Sequence, residues 1–90
     1  MKIKDGFALR QVAGSYVVLP LAESSAVFNG MLTLNESGVV LWRRLAEGCS
    51  LEELVVALTD EYEVTEETAR ADVERFIAKI SEIGCLDLGV

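Results

Sequence analysis

Apolar and polar residues alternate near the start of the chain, with a period typical of β-strands. Phe7 to Val12 and Tyr16 to Leu19 are rich in aromatic and β-branched residues, and Ala13-Gly14-Ser15 separates them. This pattern predicts a β-hairpin that packs one face on the core and turns Arg10 toward water. Pro20 cannot donate to a strand ladder, so we expect it to end the second strand or to lie on a sheet edge.

A third strand is predicted at Met31 to Leu34, after a connection at Glu23-Ser24-Ser25. Val27-Phe28 precedes this strand, and the intervening Asn29-Gly30 permits either a tight turn or a bulge. Asn35 is a good helix N-cap and follows the strand directly. The third strand is therefore expected to run straight into a helix.

Three helices follow, each with a capping signal at its start. Asn35 begins the first helix, which Gly48 ends, while Ser50 with Glu53 forms a capping box for the second and Thr65 starts the third. Each helix carries an apolar stripe: Val39, Leu41, Trp42 and Leu45; then Leu51, Leu54, Val55, Leu58 and Tyr62; then Ala69, Val73, Phe76, Ile77, Ile80 and Ile83. We expect Gly84 to follow the last helical turn. Strands followed by helices predict an α+β fold, with a three-stranded antiparallel sheet and three helices on one side.

The composition fits one packed domain over residues 1–90. Apolar residues make up 51% of the chain, which argues against disorder. Gln11 to Ala22 is the longest uncharged apolar stretch, but it is too short and too interrupted to span a membrane, and the N-terminus lacks the pattern of a signal peptide. A cytoplasmic protein is expected.

The available side chains argue against catalysis and against a metal or cofactor site. Histidine is absent, and the two cysteines, Cys49 and Cys85, lie far apart in the sequence. Cys49 precedes a helix N-terminus, a position that can lower the pKa of a thiol, but without a nearby base or second cysteine we expect plain burial or surface exposure; Cys85 is expected in the core. Two acidic clusters are interpreted as solvated helix ends and faces: Asp60, Glu61 and Glu63, and Glu66 with Glu67.

The sequence offers two candidate binding modes, a helix-turn-helix and a strand edge, and the charge distribution argues against the first. The second and third helices could form a helix-turn-helix, but Glu66, Glu67 and Asp72 outnumber Arg70 at the start of the third helix. Residues 47–90 carry a net charge of −9, against +2 for residues 1–46, so nucleic acid and acidic membrane surfaces are unsuitable partners. The other candidate is Met31 to Leu34, which would bind an extended peptide if it forms a sheet edge. An edge covered by its own chain is the alternative.

Several segments together resemble the PqqD-like family over nearly the whole chain. They are Leu34-Asn35-Glu36-Ser37-Gly38, Leu41-Trp42, Gly48, Leu51-Glu52-Glu53-Leu54, Ala71-Asp72-Val73-Glu74-Arg75-Phe76 and Gly84-Cys85-Leu86. The resemblance implies a winged-helix-like, non-catalytic recognition element that binds the leader segment of a ribosomally made precursor peptide as an added strand. It also implies delivery of that peptide to a modifying enzyme, often a radical S-adenosylmethionine enzyme. Phe28-Asn29-Gly30-Met31 is more similar to members beside peptide-modifying enzymes than to those of pyrroloquinoline quinone synthesis.

Carried onto this sequence, the resemblance implies a peptide-binding cleft with two sides. Met31, Leu32, Thr33 and Leu34 supply the backbone edge, and the candidates on the third helix are Asp72, Arg75, Phe76, Lys79, Ile80 and Ile83. Leu34, Val73 and Ile80 are alternatively core residues, and the rotation of the helix decides between Phe76 and Ile77. An exposed edge permits either a monomer or a homodimer formed by strand exchange. The alternative function is a winged-helix-like interaction or regulatory domain that does not bind a leader.

Overall fold

The computed structural model describes residues 1–21 and 32–87. Its elements follow the predicted order, with one very short strand added at each end. They are β1 (Lys2–Ile3), β2 (Phe7–Val12), β3 (Ser15–Pro20), β4 (Leu32–Leu34), α1 (Glu36–Glu47), α2 (Leu51–Glu61), α3 (Glu66–Glu82) and β5 (Leu86–Asp87). The expectations for Glu23 to Ser25 and Val27 to Met31 lie outside the described residues.

The main sheet is antiparallel, with the strand order β2-β3-β4. The predicted α+β architecture, a three-stranded antiparallel sheet followed by three helices, is confirmed. Pro20 is the last residue of β3 and lies opposite Phe7, as expected for a residue without a backbone N–H. Arg10 is exposed, as predicted.

The hairpin turn contains two residues, one fewer than the predicted Ala13-Gly14-Ser15. Val12 pairs with Ser15, so Ser15 already belongs to β3. Ala13 and Gly14 have φ angles of 51° and 84°, and positive φ at both positions is characteristic of a type I′ turn, whose twist matches that of the strands. Such a turn makes Val12 and Ser15 a pair that exchanges both backbone hydrogen bonds.

All three helix caps form as predicted. Asn35 Oδ1 accepts a hydrogen bond from the Gly38 N–H at 2.8 Å, and Thr65 Oγ1 accepts one from the Thr68 N–H at 3.1 Å. Ser50 and Glu53 satisfy each other's backbone N–H groups in a capping box. Since each cap satisfies donors that a helix start leaves unpaired, the local sequence determines where each helix begins.

Gly38 allows α1 to begin immediately after β4. A Cβ at this position would lie 3.1 Å from Asn35 Oδ1 and 3.3 Å from Leu34 Cβ, both tighter than ordinary van der Waals contact. The missing side chain therefore keeps the first turn of α1 against the end of the strand.

A second, two-stranded sheet joins the ends of the described chain and was not predicted. Ile3 pairs with Leu86 and Lys2 with Asp87, while Cys49 N–H donates to Met1 C=O at 2.9 Å. Strands of two residues contain no alternation that a sequence pattern could reveal. Strand β5, which follows Cys85 directly, thus secures the N-terminus.

The core lies between the main sheet and the helices. Trp42 is 4% exposed, which confirms its predicted burial. The buried cluster contains Ile3, Val18, Leu32, Leu34, Val39, Leu41, Trp42, Leu45, Leu54, Val55, Leu58, Ala69, Val73, Ile80, Cys85 and Leu86. No helix in the described ranges is long and apolar enough to cross a membrane.

Candidate functional site

Strand β4 lies at one edge of the main sheet. Within residues 1–21 and 32–87, its pairing partner is β3, through the pairs Leu34 with Tyr16, Thr33 with Val17, and Leu32 with Val18. An unpaired strand edge leaves backbone N–H and C=O groups available to another chain. The predicted edge position is therefore present in the described part of the fold.

The register determines which backbone groups of β4 point outward. Along a strand, the N–H and C=O of successive residues turn to opposite neighbours. Ser15 turns its groups to β2, so Tyr16 and Val18 turn theirs to β4, where they face Leu34 and Leu32. The N–H and C=O of Thr33, between those two leucines, consequently point away from the sheet.

The side chains of β4 are divided between the core and the surface. Leu32 and Leu34 are 9% and 7% exposed, whereas Thr33 is exposed. The two leucines anchor the strand on the core, and this anchoring holds the outward groups of Thr33 in a fixed position. The edge is therefore a preorganised backbone surface.

An open groove of about 590 Å³ runs beside this edge, between β4, the start of α1 and α3. Its lining combines apolar, polar and charged side chains. It consists of Thr33, Leu34, Asn35, Ser37, Gly38, Leu41, Asp72, Arg75, Phe76 and Lys79. A groove of this size along a strand edge can accept several side chains of an extended segment.

The apolar part of the groove consists of Leu34 from β4, Leu41 from α1 and Phe76 from α3. Phe76 and Ile77 are both half-buried and packed against the core, but only Phe76 also lines the groove. The rotation of α3 therefore places Phe76, not Ile77, beside β4.

Three charged residues of α3 line the same groove. Arg75 pairs with Asp72, and their side chains are 76% and 45% exposed. Exposed pairs of this kind contribute at most about 1 kcal/mol. Lys79 has no ion-pair partner among the residues that the structure describes.

The remaining cation of α3, Arg70, is held away from the groove. It donates to Glu52 Oε1 and Oε2 at 2.7 and 2.9 Å and lies 3.4 Å from Glu66 Oε1. These hydrogen bonds raise the pKa of Arg70 and lower the pKa of Glu52. Since Arg70 is already paired with two carboxylates, the charge argument against nucleic-acid binding gains support.

The cysteines occupy sites that disfavour the thiolate. Burial, followed by the nearby charge of Glu53, raises the pKa of Cys49, so its position before α2 does not lower that pKa. Burial raises the pKa of Cys85, which is fully buried as predicted, to about 11. Neither environment activates a nucleophile. In the described ranges, no group of three His, Cys, Asp or Glu residues could hold a metal ion.

The groove brings together six of the residues proposed from the sequence: Thr33, Leu34, Asp72, Arg75, Phe76 and Lys79. Leu32 is a core residue whose backbone bonds to β3, and Ile80 is 0% exposed, so the core alternative applies to Ile80. Ile83 is half-buried against the core and lies outside the lining. Met31 lies outside the described residues.

Four lining residues were not among the predicted site residues: Asn35, Ser37, Gly38 and Leu41. Asn35 was recognised only as a cap, and Leu41 only as core. A helix that begins at the last residue of an edge strand must place its first turn beside that edge. This adjacency was the available signal for Asn35, Ser37 and Gly38.

A family model described as Coenzyme PQQ synthesis protein D (PqqD) matches residues 15–86. The chain belongs to the PqqD family. The matched range contains β3, β4, all three helices and the first residue of β5, and it includes every residue that lines the groove. The predicted resemblance is confirmed.

Two solved structures are similar to this PqqD-family chain over most of their length. TbiB1 in complex with the TbiA(beta) leader peptide is 27% identical with a TM-score of 0.79, and the match covers 100% of this chain and 99% of that one. Lasso peptide synthetase B1, complexed with the leader peptide, is 23% identical with a TM-score of 0.74 and 93% coverage of both chains. At that lower identity the likeness concerns the fold alone. No curated protein matches the chain.

Proposed function

We propose that this PqqD-family domain binds the leader segment of a ribosomally made precursor peptide as an additional strand beside β4. The observation that carries the proposal is the outward-facing backbone of Thr33 next to the groove between β4 and α3. Backbone pairing provides affinity for any extended segment, and side-chain contacts in the groove provide selectivity. The outward-facing backbone of Thr33 and the groove lie side by side.

The leader would lie with one row of side chains toward α3. Side chains of an added strand alternate between faces, so every second residue can enter the groove. Phe76 and the edge of Leu41 offer apolar contact there, and Asp72, Arg75 and Lys79 offer charged contact. The proposed site is therefore Thr33, Leu34, Asp72, Arg75, Phe76 and Lys79.

Similarity to TbiB1, whose structure contains a leader peptide, supports this proposal. The domain would have no catalysis of its own and would work by delivery to a modifying enzyme in the cytoplasm. A radical S-adenosylmethionine enzyme is the proposed partner, on the basis of the family resemblance. The domain would act as a monomer or as a homodimer.

The experiment is a titration of isotope-labelled domain with the leader segment of a candidate precursor peptide. We expect amide NMR signals to shift at Thr33 and along the groove face of α3, with saturation at a defined stoichiometry. Val56 on α2 is 54% exposed and serves as a reference outside the groove. Saturable shifts confined to α2, with Thr33 unmoved, would instead support an interaction domain that uses its helical face.

A further inference from the structure

We infer that the groove selects leader segments that carry an acidic side chain, placed against Lys79 and Arg75. This inference rests on the proposed leader binding and concerns which leaders the domain accepts. It begins with the distribution of cations. Residues 47–90 have a net charge of −9 and contain three basic residues, Arg70, Arg75 and Lys79.

Two of those three cations line the groove, and the third is already paired. Arg70 contacts Glu52 and Glu66 outside the groove. The groove lining contains one carboxylate, Asp72, against Arg75 and Lys79, so its net charge is positive. In the acidic half of the domain, the groove is thus the location where a carboxylate of a partner would be attracted.

Lys79 is the more available cation. Asp72 pairs with Arg75, while no carboxylate in residues 1–21 and 32–87 pairs with Lys79. Arg75 and Lys79 are four residues apart on one helix, a spacing at which like charges repel. A carboxylate bound between them would relieve this repulsion and gain an ion pair at the same time.

The neighbouring Phe76 makes the expected motif more specific. It lies three residues before Lys79 on α3, and both side chains line the groove, so they are neighbours on one helix surface. On an added strand, residues i and i+2 project on the same side, about 7 Å apart. The expected pattern is therefore an apolar residue and an acidic residue separated by one position.

The experiment uses a displayed library of randomised twelve-residue peptides, selected on the immobilised whole domain. With the wild-type domain, we expect enrichment of Asp or Glu two positions from an apolar residue. Lys79→Glu should shift the preference at that position toward Lys or Arg. Arg10→Glu is the matched control, because it makes the same charge change as Lys79→Glu at an exposed position on β2. It should leave the wild-type preference unchanged.

Individual peptides then test the contact directly. Replacing the selected acid with its amide should weaken binding to the wild-type domain by about threefold, the effect of one exposed ion pair. The same replacement should not weaken binding to Lys79→Glu. Enriched peptides with conserved apolar positions but no acidic position would overturn this inference and leave leader binding intact. Failure of the wild-type domain to enrich any peptide would contradict both the inference and the proposed function.

Discussion

Replacing Thr33 with proline tests the strand-addition geometry at the residue of β4 whose backbone the register turns outward. Proline removes the Thr33 N–H. This N–H is not part of the β3–β4 ladder, because Leu32 and Leu34 are the residues whose backbones bond to β3. Proline is tolerated at edge positions whose N–H faces outward. We therefore expect the variant to fold and to lose a donor that only the peptide uses.

The magnitude follows from one hydrogen bond. A typical bond contributes about 0.5–1.5 kcal/mol net, and 1.4 kcal/mol corresponds to a tenfold change in Kd. Loss of the Thr33 donor should weaken leader binding roughly two- to twelvefold. The proline ring can only add to this loss, because it projects from the edge where the peptide would lie.

The assay is fluorescence anisotropy with a labelled leader segment, and emission from buried Trp42 reports whether the core is intact. Gln11→Pro is the matched control, since the same alternation turns the Gln11 N–H outward on β2, the opposite edge of the sheet. Thr33→Val keeps the backbone donor and should retain affinity. Wild-type affinity in a folded Thr33→Pro variant would refute the proposed pairing of the leader with the outward-facing backbone of Thr33.

Three further predictions concern the groove, the turn and the core. Phe76→Ala should weaken leader binding by about 1–2 kcal/mol, because an apolar contact in the groove is lost, whereas Ile77→Ala should lower the free energy of unfolding with affinity unchanged. Gly14→Ala should destabilise the domain by about 1–2 kcal/mol through its φ of 84° alone, as nothing lies within 4 Å of the added Cβ; Ala13→Asn should stabilise it, since Asn tolerates positive φ better. Burial raises the pKa of the Cys85 thiol from 9.0 to about 11, so the folded state favours the neutral thiol. The contribution of this thiol to the free energy of unfolding should be fully present below pH 9, and about 2–3 kcal/mol of it should be lost as the pH rises to 11.

Urea unfolding and anisotropy together check these outcomes. Equal affinity losses in Phe76→Ala and Ile77→Ala would contradict the rotation assigned to α3. No loss of stability in Gly14→Ala would argue against the type I′ turn. The alkaline slope must be compared with that of Cys85→Ala, since other groups titrate in the same range; identical slopes would show that the thiol does not contribute.

The predictable parts of this structure are those that depend on local chemistry. Asn35, Ser50 and Thr65 cap helices because a side-chain oxygen accepts from an N–H three residues ahead, an interaction contained in a few residues. The β1–β5 pairing depends instead on Lys2 and Asp87, which are separated by nearly the whole chain, and its strands are too short to carry a pattern. The length of the hairpin turn also escaped prediction, because Ala13 adopts a positive φ that the residue itself disfavours.

The candidate site was predictable to the extent that one element determines it. Helical spacing puts Asp72, Arg75, Phe76 and Lys79 near one face of α3, but Phe76 and Ile77 are both apolar, so only the packing of α3 against the core distinguishes them. Ile80 shares the spacing and yet is fully buried. The outward direction of Thr33 required the pairing register, which starts from a turn on the other side of the sheet.

The geometry of the groove suits a small domain that acts by binding alone, as proposed. An open edge and a shallow groove bind by a few backbone bonds and side-chain contacts, which favours moderate affinity and release of the product. Moderate affinity is sufficient, because a tethered core segment experiences an effective concentration of about the millimolar range near a bound enzyme. That gain exists only while the domain contacts peptide and enzyme together. If the domain delivers a leader as proposed, the enzyme docks on a surface other than the groove, so substitutions such as Phe76→Ala should impair delivery by weakening capture of the leader while leaving enzyme docking intact.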